Sequence, residues 1–321
     1  MLIDLLLVLA GIGVLTAGGE ALIRGALALA QRLRISPLLT GLVIVGFGTS
    51  APELVVSIDA ALLGKPDIAL GNVIGSNIGN ILLILGICAL LRPMPVTALA
   101  LGRDATSGLA ASILFLVLAA GAALGRIDGV ILLTGLVVYL GWAYWSERGP
   151  EQATARLHEA ESQAFGRMPR SWWFILSGSV GGLVLLVAGS RILLLGAVGL
   201  ARDLGVSEAL IGLTLVAVGT SLPELSVAVI ATLRRQADVA VGNILGSNLF
   251  NLLCILGISA LLQPLPMPHR MVVFDQWVLL GASAAVLVML WTGRRLSRVE
   301  GTVFLVAYGV FLLVGFRAFP S

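Results

Sequence analysis

Two short stretches hold most of the chemistry open to this chain. GTSAPEL (48–54) contains Glu53, GTSLPEL (219–225) contains Glu224, and each glutamate lies deep inside a long apolar run. An ionised carboxylate at membrane depth costs at least ~2.5 to 3.5 kcal/mol, so its retention points to a functional site. A buried carboxylate can also be protonated or paired with arginine, but neither half places a basic residue within the adjacent turns. Thr49 and Ser50 stand four and three residues before Glu53, on its face of a helix, and Thr220 and Ser221 do the same for Glu224. Pro52 and Pro223 lack an N–H, so each leaves a carbonyl one turn earlier without its helical partner, and Gly46, Gly48 and Gly219 loosen the backbone beside them. A helix broken there is expected to turn carbonyl oxygens toward the site, which a membrane tolerates only around a cavity.

A second pair of stretches, GNVIGSNIGNILLILGI (71–87) and GNILGSNLFNLLCILGI (242–258), adds Ser76 with Asn80 and Ser247 with Asn251, each pair four residues apart on one face. Gly71, Gly75, Gly242 and Gly246 are small enough to let those helices approach closely. The inventory is two carboxylates, hydroxyls, amide oxygens and freed carbonyls, without thiolate or imidazole. Hard oxygen ligands of this kind suit Ca²⁺ and Na⁺ and argue against Zn²⁺ or Cu⁺, and two formal negative charges balance one Ca²⁺. Cys88 and Cys254 fall inside apolar runs in no metal-ligand spacing and read as small buried thiols, while His158 and His269 fall in loops and read as surface residues.

The elements that must hold these residues are membrane helices. Of 321 residues 58% are hydrophobic and only 12% charged, against about 25% charged in a soluble domain. Apolar runs of 18 residues or more recur from end to end, each long enough to cross a hydrocarbon core of roughly 30 Å as a helix. An outer-membrane β-barrel is excluded because ILLILGICALL (81–91) and VLLVAGSRILLLGAVGL (184–200) stay apolar through both faces of any strand. The net charge of +3 comes from scattered basic residues that form no single face, so nucleic-acid binding is not expected. The amino-terminal Met-Leu-Ile-Asp lacks a positive leader region and reads as the start of a retained helix.

Breaks in the apolar pattern define ten segments, near 2–31, 38–63, 69–91, 107–125, 129–146, 172–201, 208–233, 240–262, 274–291 and 299–317. Residues 146–170 form the one sizeable charged stretch, a solvated linker with room for one short amphipathic helix. Loops after odd-numbered segments carry 13 Arg or Lys residues, Arg103 among them, and the opposite side carries 5. That bias predicts both termini outside and the linker in the cytoplasm.

Laid on itself with a shift of 171 residues, the sequence repeats without a gap through both motif blocks, and Gly18, Gly25, Ser36, Gly41 and Asp67 fall on Gly189, Gly196, Ser207, Gly212 and Asp238. Five segments per half is an odd number, so the second half must enter the membrane upside-down. The expected fold is an all-α membrane protein of two inverted five-helix repeats, residues 1–145 and 172–321, joined by a cytoplasmic linker at 146–171. Segments two and seven are expected to be broken at an ion site near mid-membrane between the repeats.

The two blocks G-T-S-x-P-E and G-N-x-x-G-S-N-x-x-N, each present twice, resemble the α-repeats of the sodium/calcium exchanger family within the calcium/cation antiporters, and the similarity covers all ten segments. The resemblance implies a short bacterial-type member that exchanges about three Na⁺ for one Ca²⁺ by alternating access, with segments one and six sliding to switch sides. It implies four ion positions around the glutamates, with ligands on Thr49, Ser50, Glu53, Ser76 and Asn80 and on Thr220, Ser221, Glu224, Ser247 and Asn251. Gly46 and Ala217 are weaker candidates, through their carbonyls. Some family members, the potassium-dependent ones included, carry Asp where Asn251 stands, so the resemblance favours exchange without K⁺, and the linker has no room for the large regulatory calcium-binding region of animal relatives.

The resulting expectation is an inner (plasma) membrane Na⁺/Ca²⁺ antiporter, not an enzyme, with no cofactor and no obligatory protein partner, its partners being the two ions and the lipid bilayer. A Ca²⁺/H⁺ antiporter is the nearest alternative, although proton-coupled relatives place Glu-His where this chain has Gly75-Ser76 and Gly246-Ser247. A passive cation channel is further off, and an intramembrane protease lacks its paired Asp, Ser-His, Ser-Lys or zinc motif.

Overall fold

The computed structural model describes residues 1–33, 37–96, 100–121, 123–146, 171–204 and 219–319. Helices account for nearly all of them: α1 (Leu2–Leu33), α2 (Gly41–Thr49), α3 (Ala51–Leu62), α4 (Pro66–Leu91), α5 (Gly102–Ala119), α6 (Arg126–Ser146), α7 (Trp172–Asp203), α8 (Leu222–Leu233), α9 (Ala237–Leu262), α10 (Met271–Gly293) and α11 (Arg298–Ala318). Eight are long and apolar enough to span a bilayer, and α2 with α3, bent by 49° at Ser50, makes a ninth span. The expected start of segment seven, 208–218, and the linker with its short helix lie outside the described residues. So do Ser36, Ser207 and Gly212 of the internal repeat.

The all-helical expectation needs one amendment. Four two-residue strands tie loops together in antiparallel pairs: β1 (Met94–Pro95) with β4 (Arg295–Leu296), and β2 (Ala123–Leu124) with β3 (Leu265–Pro266). Segment four also shifts from 107–125 to Gly102–Ala119. Its last residues are taken by β2, and its first turn extends backward because Arg103 is not a loop residue. Arg103 is 2% exposed and ion-paired to Asp104 at 2.6 Å, and Tyr139 of α6 donates to the same carboxylate at 2.9 Å. A buried charge is tolerated at a helix start when paired and hydrogen-bonded in this way.

The bundle is layered. Within their most apolar windows α4 and α9 are 78% and 83% buried, whereas α1, α7 and α11 are each 22% buried, so the helices carrying the second motif block form the centre and the long ones the flank. The flanking pair α1 and α7 meets through glycines at heptad spacing, Gly11, Gly18 and Gly25 on one and Gly182, Gly189 and Gly196 on the other. A Cβ on Gly18 would stand 2.8 Å from the Leu186 nitrogen, and one on Gly189 would stand 2.8 Å from the Leu15 nitrogen. Between apolar helices in lipid, such backbone approach supplies the packing that side-chain hydrophobicity cannot. The two run antiparallel, since the Met1 ammonium pairs with Asp203 at the end of α7 and Arg32 lies over the Trp172 ring at its beginning. Each is 32 residues long, about 48 Å at 1.5 Å per residue, so both must tilt to fit the hydrocarbon layer. Exposed Trp142, Trp145, Trp172, Trp173, Trp277 and Trp291 cluster at span ends, as interfacial aromatics do.

Candidate ion site

Glu53 and Glu224 both sit in the first turn of a helix. α3 begins after Ser50 (φ −82°, ψ 8°) and α8 after Ser221 (φ −89°, ψ 8°), with the prolines at the opening positions where a missing N–H costs nothing. The prolines therefore mark two helix starts inside the membrane, and the carboxylates occupy the positive end of each helix dipole. Each glutamate is 1% exposed.

The break re-pairs the hydroxyls. On a continuous helix Ser50 would serve Glu53, but across the bend Ser50 Oγ donates to Glu224 Oε1 at 2.9 Å, and Ser221 Oγ donates to Glu53 Oε1 at 3.3 Å. Thr49, on the far side of the break, has Gly46 O at 3.3 Å and Asn243 Oδ1 at 3.2 Å as acceptors, and Ser247 Oγ lies 3.5 Å away. Ser221 Oγ also reaches Ser76 Oγ at 3.4 Å, and both serines line a cavity of about 30 Å³ beside Tyr308, room for about one water. Each hydroxyl nominated from sequence thus lies in the region of the glutamates, Thr220 included, but the helix on which several act is the opposite one.

Two carbonyls behave differently from the expectation. The oxygen freed by Pro223, on Gly219, accepts from Ser190 Oγ of α7 at 2.6 Å. Gly46 O accepts from Ser247 Oγ at 3.0 Å. Neighbouring hydroxyls thus bond to both oxygens, each of which keeps a second lone pair; Ala217 lies outside the described residues. The close approach that allows the Gly46 contact depends on glycine, because a Cβ there would lie 2.9 Å from both Asn243 O and Ser247 N, and one on Gly246 would strike the Leu42 carbonyl.

In the central helices, π-helical turns at Asn80–Leu85 and Phe250–Ile255 widen α4 and α9 at matching places, a local form frequent at functional sites. Four asparagines of the repeated block that the Ser76–Asn80 stripe passes over are engaged here. Asn72 Nδ2 donates to Glu53 O at 3.2 Å and Asn243 Nδ2 to Glu224 O at 3.3 Å, so each buttresses a glutamate's backbone. Asn77 and Asn248 bond each other's main chain. Their signal is the identity of the block itself at the 171-residue shift, which includes every one of these asparagines.

Among the described residues eight buried side-chain polar atoms have no hydrogen-bond partner, and five belong to nominated residues: Glu53 Oε2, Glu224 Oε2, Asn80 Oδ1, Asn251 Oδ1 and Thr220 Oγ1. All five are oxygens with lone pairs to offer. Also among the described residues, no three His, Cys, Asp or Glu side chains gather in a metal-ligating group.

A bundle of apolar spans enclosing paired carboxylates and unpartnered oxygens defines a polytopic membrane protein of the cation-transporting class. The chain belongs to the sodium/calcium exchanger protein family, whose model matches residues 3–145 and 174–317. It is 39% identical to CaxA of Alkalimonas amylolytica over 96% of this chain and 97% of that one, and 32% identical to the sodium/calcium exchanger MaX1 of Methanosarcina acetivorans over 98% and 99%. It is 35% identical to the inner membrane protein YrbG of Escherichia coli over 82% of this chain and 81% of that protein. Its fold is similar to that of the sodium-calcium exchanger NCX_Mj soaked with Na⁺ and Sr²⁺, with a TM-score of 0.82 and 28% identity over 97% of this chain and 98% of the other.

Proposed function

We propose that the chain exchanges Na⁺ for Ca²⁺ across the inner membrane by alternating access to one site between Glu53 and Glu224. The observation that carries this reading is the set of five buried, unpartnered oxygens on Glu53, Glu224, Asn80, Asn251 and Thr220. A buried polar atom without a partner costs about 1 to 3 kcal/mol, more when charged, and a bare cation relieves all five together. Thr49, Ser50, Ser76, Ser221 and Ser247 complete the proposed ligand set as hydroxyl donors of oxygen lone pairs. Na⁺ rather than H⁺ is the proposed coupling ion because Gly75-Ser76 and Gly246-Ser247 offer no titratable partner beside the glutamates.

The proposed architecture is ten spans in two inverted repeats, residues 1–145 and 172–321, around a linker. The equivalent helices α1 and α7 run antiparallel, which supports inversion. The strand pairs support the alternation of sides: β1 and β4 follow segments three and nine, β2 and β3 follow segments four and eight. With Arg103 moved into the bundle the Arg and Lys bias still favours a cytoplasmic linker and outer termini. An inner-membrane location agrees with the name of the Escherichia coli relative.

The test is uptake of radiolabelled Ca²⁺ into proteoliposomes loaded with Na⁺, with K⁺, or with an imposed pH gradient. Uptake driven by Na⁺ alone, with net charge moved, is expected. Uptake driven equally by a pH gradient in Na⁺-free medium would assign the chain to proton-coupled exchange, and non-saturable flux without counterflow would assign it to the channels.

A further inference from the structure

Asn77 and Asn248 are equivalent residues of the two halves, 0% and 5% exposed, on the two most buried helices. Asn77 Nδ2 donates to Asn248 O at 3.1 Å and Asn248 Nδ2 donates to Asn77 O at 3.3 Å. A main-chain carbonyl only accepts, so these bonds decide which end of each amide is the nitrogen. The Oδ1 atoms must then face the other way. Asn77 Oδ1 accepts from Asn251 Nδ2 at 2.9 Å, and Asn248 Oδ1 accepts from Asn80 Nδ2 at 2.9 Å. With their nitrogens held, Asn251 and Asn80 turn out their Oδ1 atoms, the two amide oxygens left buried without a partner.

We infer that Asn77 and Asn248 are positioning residues that make Asn251 and Asn80 present oxygen, not NH₂, to the transported cation. This rests on the proposal that Asn80 and Asn251 are ligands. An amide rotated by half a turn occupies the same volume but offers two donors with partial positive charge to the ion. Packing does not separate the two orientations; the polarity relayed from the backbone carbonyls of the facing helix does. The relay is crossed, so Asn77 on α4 sets Asn251 on α9 and Asn248 on α9 sets Asn80 on α4.

Crossing gives the test its specificity. The half-saturating Ca²⁺ and the maximal rate of Na⁺-driven uptake are measured in proteoliposomes for Asn77→Ala, Asn248→Ala, Asn80→Ala, Asn251→Ala and the double variants that combine Asn77 with Asn251, Asn248 with Asn80, and Asn77 with Asn80. Asn77→Ala is expected to raise the half-saturating Ca²⁺ roughly tenfold, inside the range of coupling between bonded groups, while the maximal rate stays within about threefold of the wild type. On the Asn251→Ala background it should add no more than about twofold, because the amide it orients is gone. Asn248 and Asn80 should be coupled in the same way, and Asn77 with Asn80 should be additive. Should Asn77→Ala not give monodisperse protein, Asn77→Ser, whose hydroxyl can still donate, carries the same cycle. Full additivity of Asn77 with Asn251, or a lost maximal rate at unchanged half-saturation, overturns the inference. Unaltered half-saturation in Asn80→Ala and Asn251→Ala overturns instead the ligand assignment beneath it.

Discussion

Replacing Glu224 by Gln changes the charge of the site and leaves its shape alone. The amide keeps an oxygen to accept from Ser50, now bonded at 2.9 Å, and adds no bulk to a position 1% exposed. What goes is one of two charges facing the cation. Unit charges 4 Å apart interact by about 4 kcal/mol at an effective dielectric of about 20, hence about 8 kcal/mol for a divalent ion. Part is recovered because the variant no longer holds a carboxylate at membrane depth, a relief of ~2.5 to 3.5 kcal/mol. The net loss for Ca²⁺ is about 5 kcal/mol, roughly three to four orders of magnitude in affinity. For Na⁺ the Coulomb loss is about half as large and the relief is the same, leaving about 1 kcal/mol, less than a tenfold change. Glu224→Gln is therefore expected to abolish Na⁺-driven uptake of radiolabelled Ca²⁺ and to remove stabilisation of the purified protein by Ca²⁺ in thermal unfolding, while stabilisation by Na⁺ survives. Glu53→Gln, whose bond to Ser221 is longer at 3.3 Å, should behave alike. Near-normal Ca²⁺ uptake by either variant, or equal loss of both ions, would refute the reasoning.

Asn251→Asp should retain part of the exchange at low pH, where a protonated carboxyl can still donate to Asn77 Oδ1 as the amide does, and lose it as the pH rises and the group ionises; a flat pH profile of uptake would contradict this. Gly18→Leu puts a Cβ 2.8 Å from the Leu186 nitrogen and is expected to lower unfolding stability by about 1 to 3 kcal/mol, whereas Gly13→Leu, on an exposed position of the same helix, should leave the thermal midpoint in place. Ser190→Ala strips the Gly219 carbonyl of its 2.6 Å partner and should cost about 1 to 3 kcal/mol by the same measurement. Alkaline phosphatase fused to the C-terminus should be active and fused within 146–170 inactive; the reverse pattern would overturn the proposed orientation.

The parts of this molecule that were legible in its sequence are those the bilayer makes simple. Length of apolar run predicts a span, so α4, α6 and α9 fall within a few residues of their expected bounds, and a carboxylate inside such a run marks itself by its cost. What escaped the pattern depends on geometry between helices. Helical spacing points Ser50 at Glu53 only while the helix continues; the bend delivers it to Glu224. The apolar pattern leaves Arg103 in a loop, because nothing local reveals that Asp104 and Tyr139 will enclose it. Proline chemistry alone leaves the Gly219 carbonyl without a partner, since the one it finds, Ser190, stands 29 residues away on another helix. Asn77 and Asn248 lie off the stripe of the nominated residues, and their role appears only when the two halves face each other.

The crossed bonds have a thermodynamic consequence. Ser50 of the first half is bonded to Glu224 of the second, and Ser221 of the second to Glu53 of the first, so neither half owns a complete set of contacts. A hydrogen bond is spent within about an ångström of lengthening, and any displacement of one half against the other therefore alters the oxygens offered to the ion. Occupancy and the relative placement of the halves are linked variables: an ion that favours one placement is, by reciprocity, held more tightly in it by the same factor. On the proposed reading, affinity can be tuned from residues that never touch the ion, such as the glycines at which α1 and α7 meet.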